Sequence, residues 1–218
     1  MVLLKNVRLY LHLDDYEREL RSEFLFRSCY VSNFVTRRVR ELGFKTDGFK
    51  GVLVQGRATD CPPLISSEHN LIVPVPFDRA RYGSLGPSEH HEFFTGMMVD
   101  GLEKGARHHR IPLAELQAAI EEFRSEGYKN EWMHQKKLLR PLGVHASLLC
   151  RLDTHNFTLT LKLERKGVTL FEQQILETLP DELIFAHRFK DVVAEGDAVV
   201  VKDTFGAPLF SVRVDSLH

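Results

Sequence analysis

Three cysteines, Cys29, Cys61 and Cys150, are all that the chain contains. They are odd in number, widely spaced and without a CxxC pair. That excludes a disulfide framework and a thiolate zinc site, and it favours a reducing compartment. Tryptophan occurs once, at Trp132. An excess of either charge is missing too, since 29 basic side chains meet 30 acidic ones for a formal net charge of −1. Bulk electrostatic attraction to nucleic acid is thereby removed, and only a local basic patch could supply it. No apolar run approaches the roughly 20 residues that span a bilayer, so no membrane partner is expected. Met1 to Leu4 meets Lys5 before an apolar region develops, with Arg8 and His12 following. No signal peptide is expected from that pattern, and the cytoplasm is the expected location. The GxSxG elbow, the Walker phosphate loop and the dinucleotide glycine fingerprint are also missing.

What is there is an ordinary globular composition, 43% apolar and 27% charged over 218 residues. A single domain of that length buries roughly 70% of its unfolded surface and needs no staples. Val7, Leu9, Leu11 and Leu13 alternate with Arg8, Tyr10 and His12, the period of a strand with one buried face. Asp14 and Asp15 end this run and are placed to cap a following helix. Leu20, Phe24, Val31, Phe34, Val35, Val39 and Leu42 then follow helical spacing, with Gly43 as the left-handed stop. Short strands are expected near Gly51–Gln55 and Asn70–Val75. Pro74 and Pro76 confine the second of these to a sheet edge or end it early.

Two helices should follow from Pro87. Phe93, Phe94, Met97, Met98 and Leu102 face one way on the first, and Leu113, Leu116, Ile120 and Phe123 on the second. Gly96, Gly101 and Gly105 cost the first roughly 1 kcal/mol each against alanine, which predicts either a close backbone approach or an early end. Tyr128 to Arg140 reads as a polar segment. From Gly143 the rhythm becomes period two: Ala146, Leu148, Cys150 and Leu152, then Phe157, Leu159, Leu161 and Leu163. Lys166-Gly167 turns this run into Val168–Ile175, and Asp203-Thr204-Phe205-Gly206 turns Ala198–Lys202 into Leu209–Val214. Leu183 to Val193 fits a short helix or a strand equally well.

The predicted fold is therefore α+β, an antiparallel C-terminal meander packed against about three helices, with a few N-terminal strands. One domain over residues 1–218 is expected. Pro141-Leu142-Gly143 divides it into a mixed part, 1–140, and a mainly antiparallel β part, 141–218.

Five of the eleven histidines lie between Pro87 and Arg140. His90 and His91 are adjacent, so a helix points them about 100° apart. His91-Glu92 lacks the second histidine of a zinc-protease helix. His108-His109 lies about 20 Å along the same helix. No metal site and no cofactor is expected. Cys150 alternates with core leucines and reads as a small core hydrophobe, while Cys61, beside Pro62-Pro63, lacks an activating charge pattern.

Lys104, Arg107, His108, His109 and Arg110, continued by Lys129, Lys136, Lys137 and Arg140, form a basic stretch diluted by Glu121, Glu122, Glu126 and Glu131. Within it Tyr128, Trp132, His134 and Arg140, with Lys136 beside them, match the aromatic and arginine anchors of protein–protein hot spots. These five are the expected partner-binding residues. The leading expectation is a non-catalytic protein-interaction module that binds and inhibits another protein, after the manner of toxin-neutralising immunity proteins. The first alternative is a metal- or His-assisted hydrolase acting on a nucleotide or phosphoester. The second is a nucleic-acid-binding protein using the Lys104–Arg140 stretch.

Overall fold

The computed structural model describes residues 1–216. The chain forms two compact units, Met1–Asn130 and Glu131–His218. Helices and sheets are both present in quantity, so the fold is α+β as expected. The Pro141-Leu142-Gly143 sequence lies inside the second unit, where Arg140–Leu142 makes a single 3₁₀ turn closed by Gly143 at φ 62°. Among the described residues no helix is long and apolar enough to cross a membrane.

The first unit begins with β1 (Val2–Leu3), β2 (Asn6–Leu11) and the long helix α1 (Arg18–Leu42). β3 (Lys45–Thr46) pairs with β1, and β4 (Gly51–Arg57) returns beside β2. After β5 (Leu64–Ile65) and β6 (Asn70–Pro76) come α2 (Arg79–Ser84), α3 (Glu89–Ala106) and α4 (Leu113–Ser125). The sheet order is β2-β4-β6-β5, with β2, β4 and β6 parallel and β5 antiparallel. Parallel neighbours need a crossover, and α1 supplies it between β2 and β4.

The expectation that prolines confine β6 to an edge needs correction. β6 lies between β4 and β5, but β5 reaches only Leu71 and Ile72. Pro74 and Pro76 therefore sit beyond the end of β5, where an amide proton on that side has no strand to serve.

α1 covers the free edge of β2. Ser32 Oγ accepts from the Leu9 amide at 3.0 Å, and Thr36 Oγ1 accepts from the Val7 amide at 3.0 Å while donating to the Val7 carbonyl at 2.9 Å. One helical turn between the hydroxyls matches two residues along the strand, so this edge cannot template another strand. The core of the unit lies between Val7, Leu9, Val52, Val54, Leu71 and Val73 of the sheet and Phe24, Val31, Phe94, Met98 and Leu102 of α1 and α3. Gly101 is where α3 approaches most closely. A Cβ built there would lie 2.4 Å from a Val54 methyl carbon. The glycines thus permit close packing and do not end the helix.

The expected cap also fails. α1 starts at Arg18, beyond the reach of Asp14 and Asp15, and no side chain caps it. Asp15 instead accepts from Arg57 Nε at 2.8 Å and the Ala58 amide at 3.0 Å, tying the end of β2 to the end of β4.

The second unit is built from two antiparallel sheets. β7 (Glu131–Leu139), β8 (Val144–Leu152), β9 (Phe157–Arg165) and β10 (Val168–Thr178) form a meander in the order β10-β9-β8-β7. The short helix α5 (Glu182–Phe185) leads into a second meander, β11 (Asp191–Glu195), β12 (Ala198–Lys202) and β13 (Pro208–Arg213). The ambiguous stretch from Leu183 to Val193 thus divides into helix and strand. The segment read as polar, from Glu131 onward, is β7. The alternating residues of β8 and β9 are buried as expected, from Ala146 to Leu152 and from Phe157 to Leu163. Phe185 and Phe189 stack on Phe157 at 3.9 and 5.4 Å between centroids.

Candidate functional site

The five residues expected to contact a partner are divided between the two units. Tyr128 belongs to the first unit, in the left-handed turn after α4 (φ 60°), with its amide on the Phe123 carbonyl at 2.8 Å. Its ring stacks on His91 at 4.7 Å, and its hydroxyl donates to Glu92. The other four lie on β7 or just after it. Trp132 is opposite buried Cys150, and its half-buried ring packs 6.0 Å from Phe157, on the core side of the strand. Lys136 and Arg140 are exposed.

His134 is different because the β7–β8 register slips between Met133 and Gln135. A residue at such a slip escapes strict alternation, and bulges re-aim side chains in this way. The His134 ring meets Phe189 edge-on at 4.8 Å, and Nε2 lies 3.2 Å from the Lys190 carbonyl, which makes it the donor. It thereby pins the segment between α5 and β11.

That segment, residues 186–190, holds its shape from both sides. Phe189 is buried in the aromatic stack, and the Lys190 amide donates to the Lys202 carbonyl at 2.7 Å. His187, Arg188 and Lys190 remain exposed around it. The His187 carbonyl accepts twice from Thr204, from the amide at 3.1 Å and the hydroxyl at 3.0 Å.

Thr204 belongs to the turn that joins β12 to β13. One carboxylate oxygen of Asp203 accepts from the amides of Phe205 and Ala207, each at 2.8 Å, and Gly206 takes φ 85°. The turn is hydrogen-bonded from within and anchored to residue 187 from without. Phe205 at its tip is 84% exposed. Leaving a phenylalanine in water forgoes about 2 kcal/mol of burial. A flexible tip could fold such a ring back, but a locked one holds it out.

No family model, curated protein or solved structure matches the chain.

The histidines of the first unit do not converge on a metal. Arg27 Nη1 lies 3.0 Å from His90 Nε2, and because guanidinium can only donate, Nε2 accepts. Nδ1 therefore carries the proton that reaches the Gly86 carbonyl at 3.0 Å. His91 sits in another layer, with Nδ1 2.5 Å from the Tyr30 hydroxyl. Burial pushes the Tyr30 phenol far above its ordinary value, and nearby Glu92 adds to the effect. His109 packs against Phe49 beyond the far end of α3. Among the described residues no three His, Cys, Asp or Glu side chains form a group that could hold a metal ion.

Several cations of the basic stretch are engaged within their own units. Lys104 donates to Asp60 and to the carbonyls of Cys61 and Pro74, and Arg110 lies over the Phe44 ring. Lys137 pairs with Asp191 at 3.1 Å. Cys150 is buried, and the Cys61 thiol donates to the Thr59 carbonyl at 3.7 Å.

Sequence reasoning places Phe205 in a turn but does not single it out as a contact residue. The aromatic stands in the Asp203-Thr204-Phe205-Gly206 loop, between two strands rather than within one. The contact that fixes the turn, at the His187 carbonyl, lies in the segment whose secondary structure the sequence left undecided.

Proposed function

We propose that the chain is a non-catalytic protein-interaction module whose contact surface is centred on Phe205 in the second unit. The observation that carries this reading is an 84% exposed ring on a turn locked by hydrogen bonds. Association costs less when the backbone that presents the contacting side chain is already fixed, and aromatic anchors supply much of the energy of protein interfaces. Arg188 and Lys190 flank the same segment and form no ion pair among the described residues, so they are available to carboxylates of a partner. The complementary surface is an apolar concavity with an acidic rim. His134 contributes by holding the 186–190 segment, and Lys136 and Arg140 are candidate peripheral cations.

Inhibition of the partner is the finer form of this reading. A protruding ring fits a concave surface, and where that concavity is an active site its occupation is inhibition, as in toxin-neutralising immunity proteins. The test is affinity capture from the native cells with wild-type protein and with Arg188→Glu/Lys190→Glu as baits. A partner held by the wild type and depleted with the charge-reversed bait is the expected result. Equal recovery on both baits would remove the charged flank from the interface.

A further inference from the structure

β10 is the longest strand among the described residues, eleven from Val168 to Thr178, and among them only β9 pairs with it. Its outer edge therefore offers a row of backbone donors and acceptors, and what completes such a row is another extended backbone. The first unit shows how this chain closes an edge, with the Ser32 and Thr36 hydroxyls laid along β2. β10 has no such cover, and VTLFEQQILET contains neither the proline nor the lysine that protects an exposed edge. Glu172, Gln173 and Gln174 are consecutive and all exposed, so both faces of the strand's centre are wet as well.

The ladder fixes which groups face outward. Arg165 and Val168 close the two-residue Lys166-Gly167 turn. Counting from that pair leaves Thr169, Glu172, Gln174 and Glu177 with their N–H and C=O turned away from β9. β10 also carries two register shifts. From Thr169 to Glu172 and from Gln174 to Glu177 it takes three steps where β9 takes two, Glu164 to Lys162 and Thr160 to Thr158. A regular strand laid on this edge would lose register at each shift. A second β10 running antiparallel would not. With Gln173 opposite Gln173 of the second copy, Glu172 meets Gln174 of that copy and Thr169 meets its Glu177. Each lengthened interval then lies against one of equal length. Every outward-facing residue meets another, and no carboxylate stands directly opposite a carboxylate.

We propose that β10 is the interface of a symmetric dimer, in which two copies pair antiparallel about Gln173 and join their four-stranded meanders edge to edge. The contact is isologous, so it closes at two chains. It is independent of the Phe205 turn, which belongs to the other sheet of the unit.

Sedimentation of the full chain from micromolar to millimolar concentration should show a monomer–dimer equilibrium. Gln174→Pro removes an N–H that faces the second copy and none that serves β9, and it should abolish the dimer. Gln174→Glu and Gln174→Lys test the register at the same exposed position, and they decide the matter if the proline variant does not fold. The first sets a carboxylate against Glu172 of the opposite copy, twice over, and should weaken the dimer roughly tenfold. The second reverses the sign and should leave the dimer as tight or tighter. Gln173→Cys brings two thiols across the axis with about 4.5 Å between Cα atoms, so mild oxidation should link them. Val168→Cys, away from the axis, should stay unlinked. Variants are compared at matched melting temperature. A chain that stays monomeric at millimolar concentration, or a dimer indifferent to the sign of the charge at position 174, would overturn the assignment. So would linking through Val168→Cys in preference to Gln173→Cys.

Discussion

Thr204 holds the His187 carbonyl with two donors, its amide at 3.1 Å and its hydroxyl at 3.0 Å. This double contact joins the β12–β13 turn to the segment that follows α5, so the aromatic tip and its basic flank move as one piece. Thr204→Val keeps the shape and the amide bond but removes the hydroxyl. The expected loss of stability is about 1 kcal/mol, one net hydrogen bond. Partner affinity should fall by more than that stability change alone explains, because a loosened tip must be ordered again on binding. Chemical denaturation and titration of the captured partner give the two numbers.

Gly101 and Gly96 lie on the same helix but should respond to alanine in opposite ways. A Cβ at Gly101 would lie 2.4 Å from a Val54 methyl carbon, whereas at Gly96 nothing lies within 4 Å. Gly96→Ala should stabilise the first unit by up to about 1 kcal/mol through helix propensity. Gly101→Ala gains the same propensity but overpacks the α3–β4 contact, and should destabilise by about 1–3 kcal/mol. Equal effects of the two substitutions in denaturant unfolding would contradict the packing described.

Asp15 makes a pH prediction. Its carboxyl is held below the ordinary 3.8, first by the Ala58 amide and then, against the opposing effect of burial, by Arg57 and His12. A depressed folded value means that the ionised form stabilises the native state. That contribution is complete above 3.8 and disappears as the pH falls through the lower folded value. Asp15→Asn should lower the melting temperature at neutral pH and flatten its decline below pH 3.8 relative to wild type. Parallel melting curves for the two proteins across the acid range would rule out this latch.

The second unit was the more legible half of the fold, for a physical reason. β8 and β9 bury one face and wet the other, so Leu148, Cys150, Leu159 and Leu161 alternate with polar residues. Their neighbour β7 was missed because it is an edge strand with a register slip beside His134, and EWMHQKKLL carries neither clean alternation nor helical spacing. In the first unit β4 and β6 read as short apolar runs, which give the strand but not its direction. α1 returns the chain to set β4 parallel to β2, and the 58–69 connection does the same for β6 beside β4, which only three dimensions supply. The anchors of the candidate surface were hidden differently. His187 offers a backbone carbonyl, which leaves no mark on residue identity, and Phe205 looks like any turn residue until its hydrogen bonds are seen.

The most direct test is quantitative affinity capture from the native cells with wild-type and Phe205→Ala baits of matched melting temperature. Phe205 is exposed, so its removal should leave the fold intact. The account predicts a stoichiometric protein partner whose recovery falls about tenfold or more with the variant, the scale of an aromatic anchor. A partner recovered equally by both baits would contradict it. So would recovery of nucleic acid alone, released by salt and by loss of the ring.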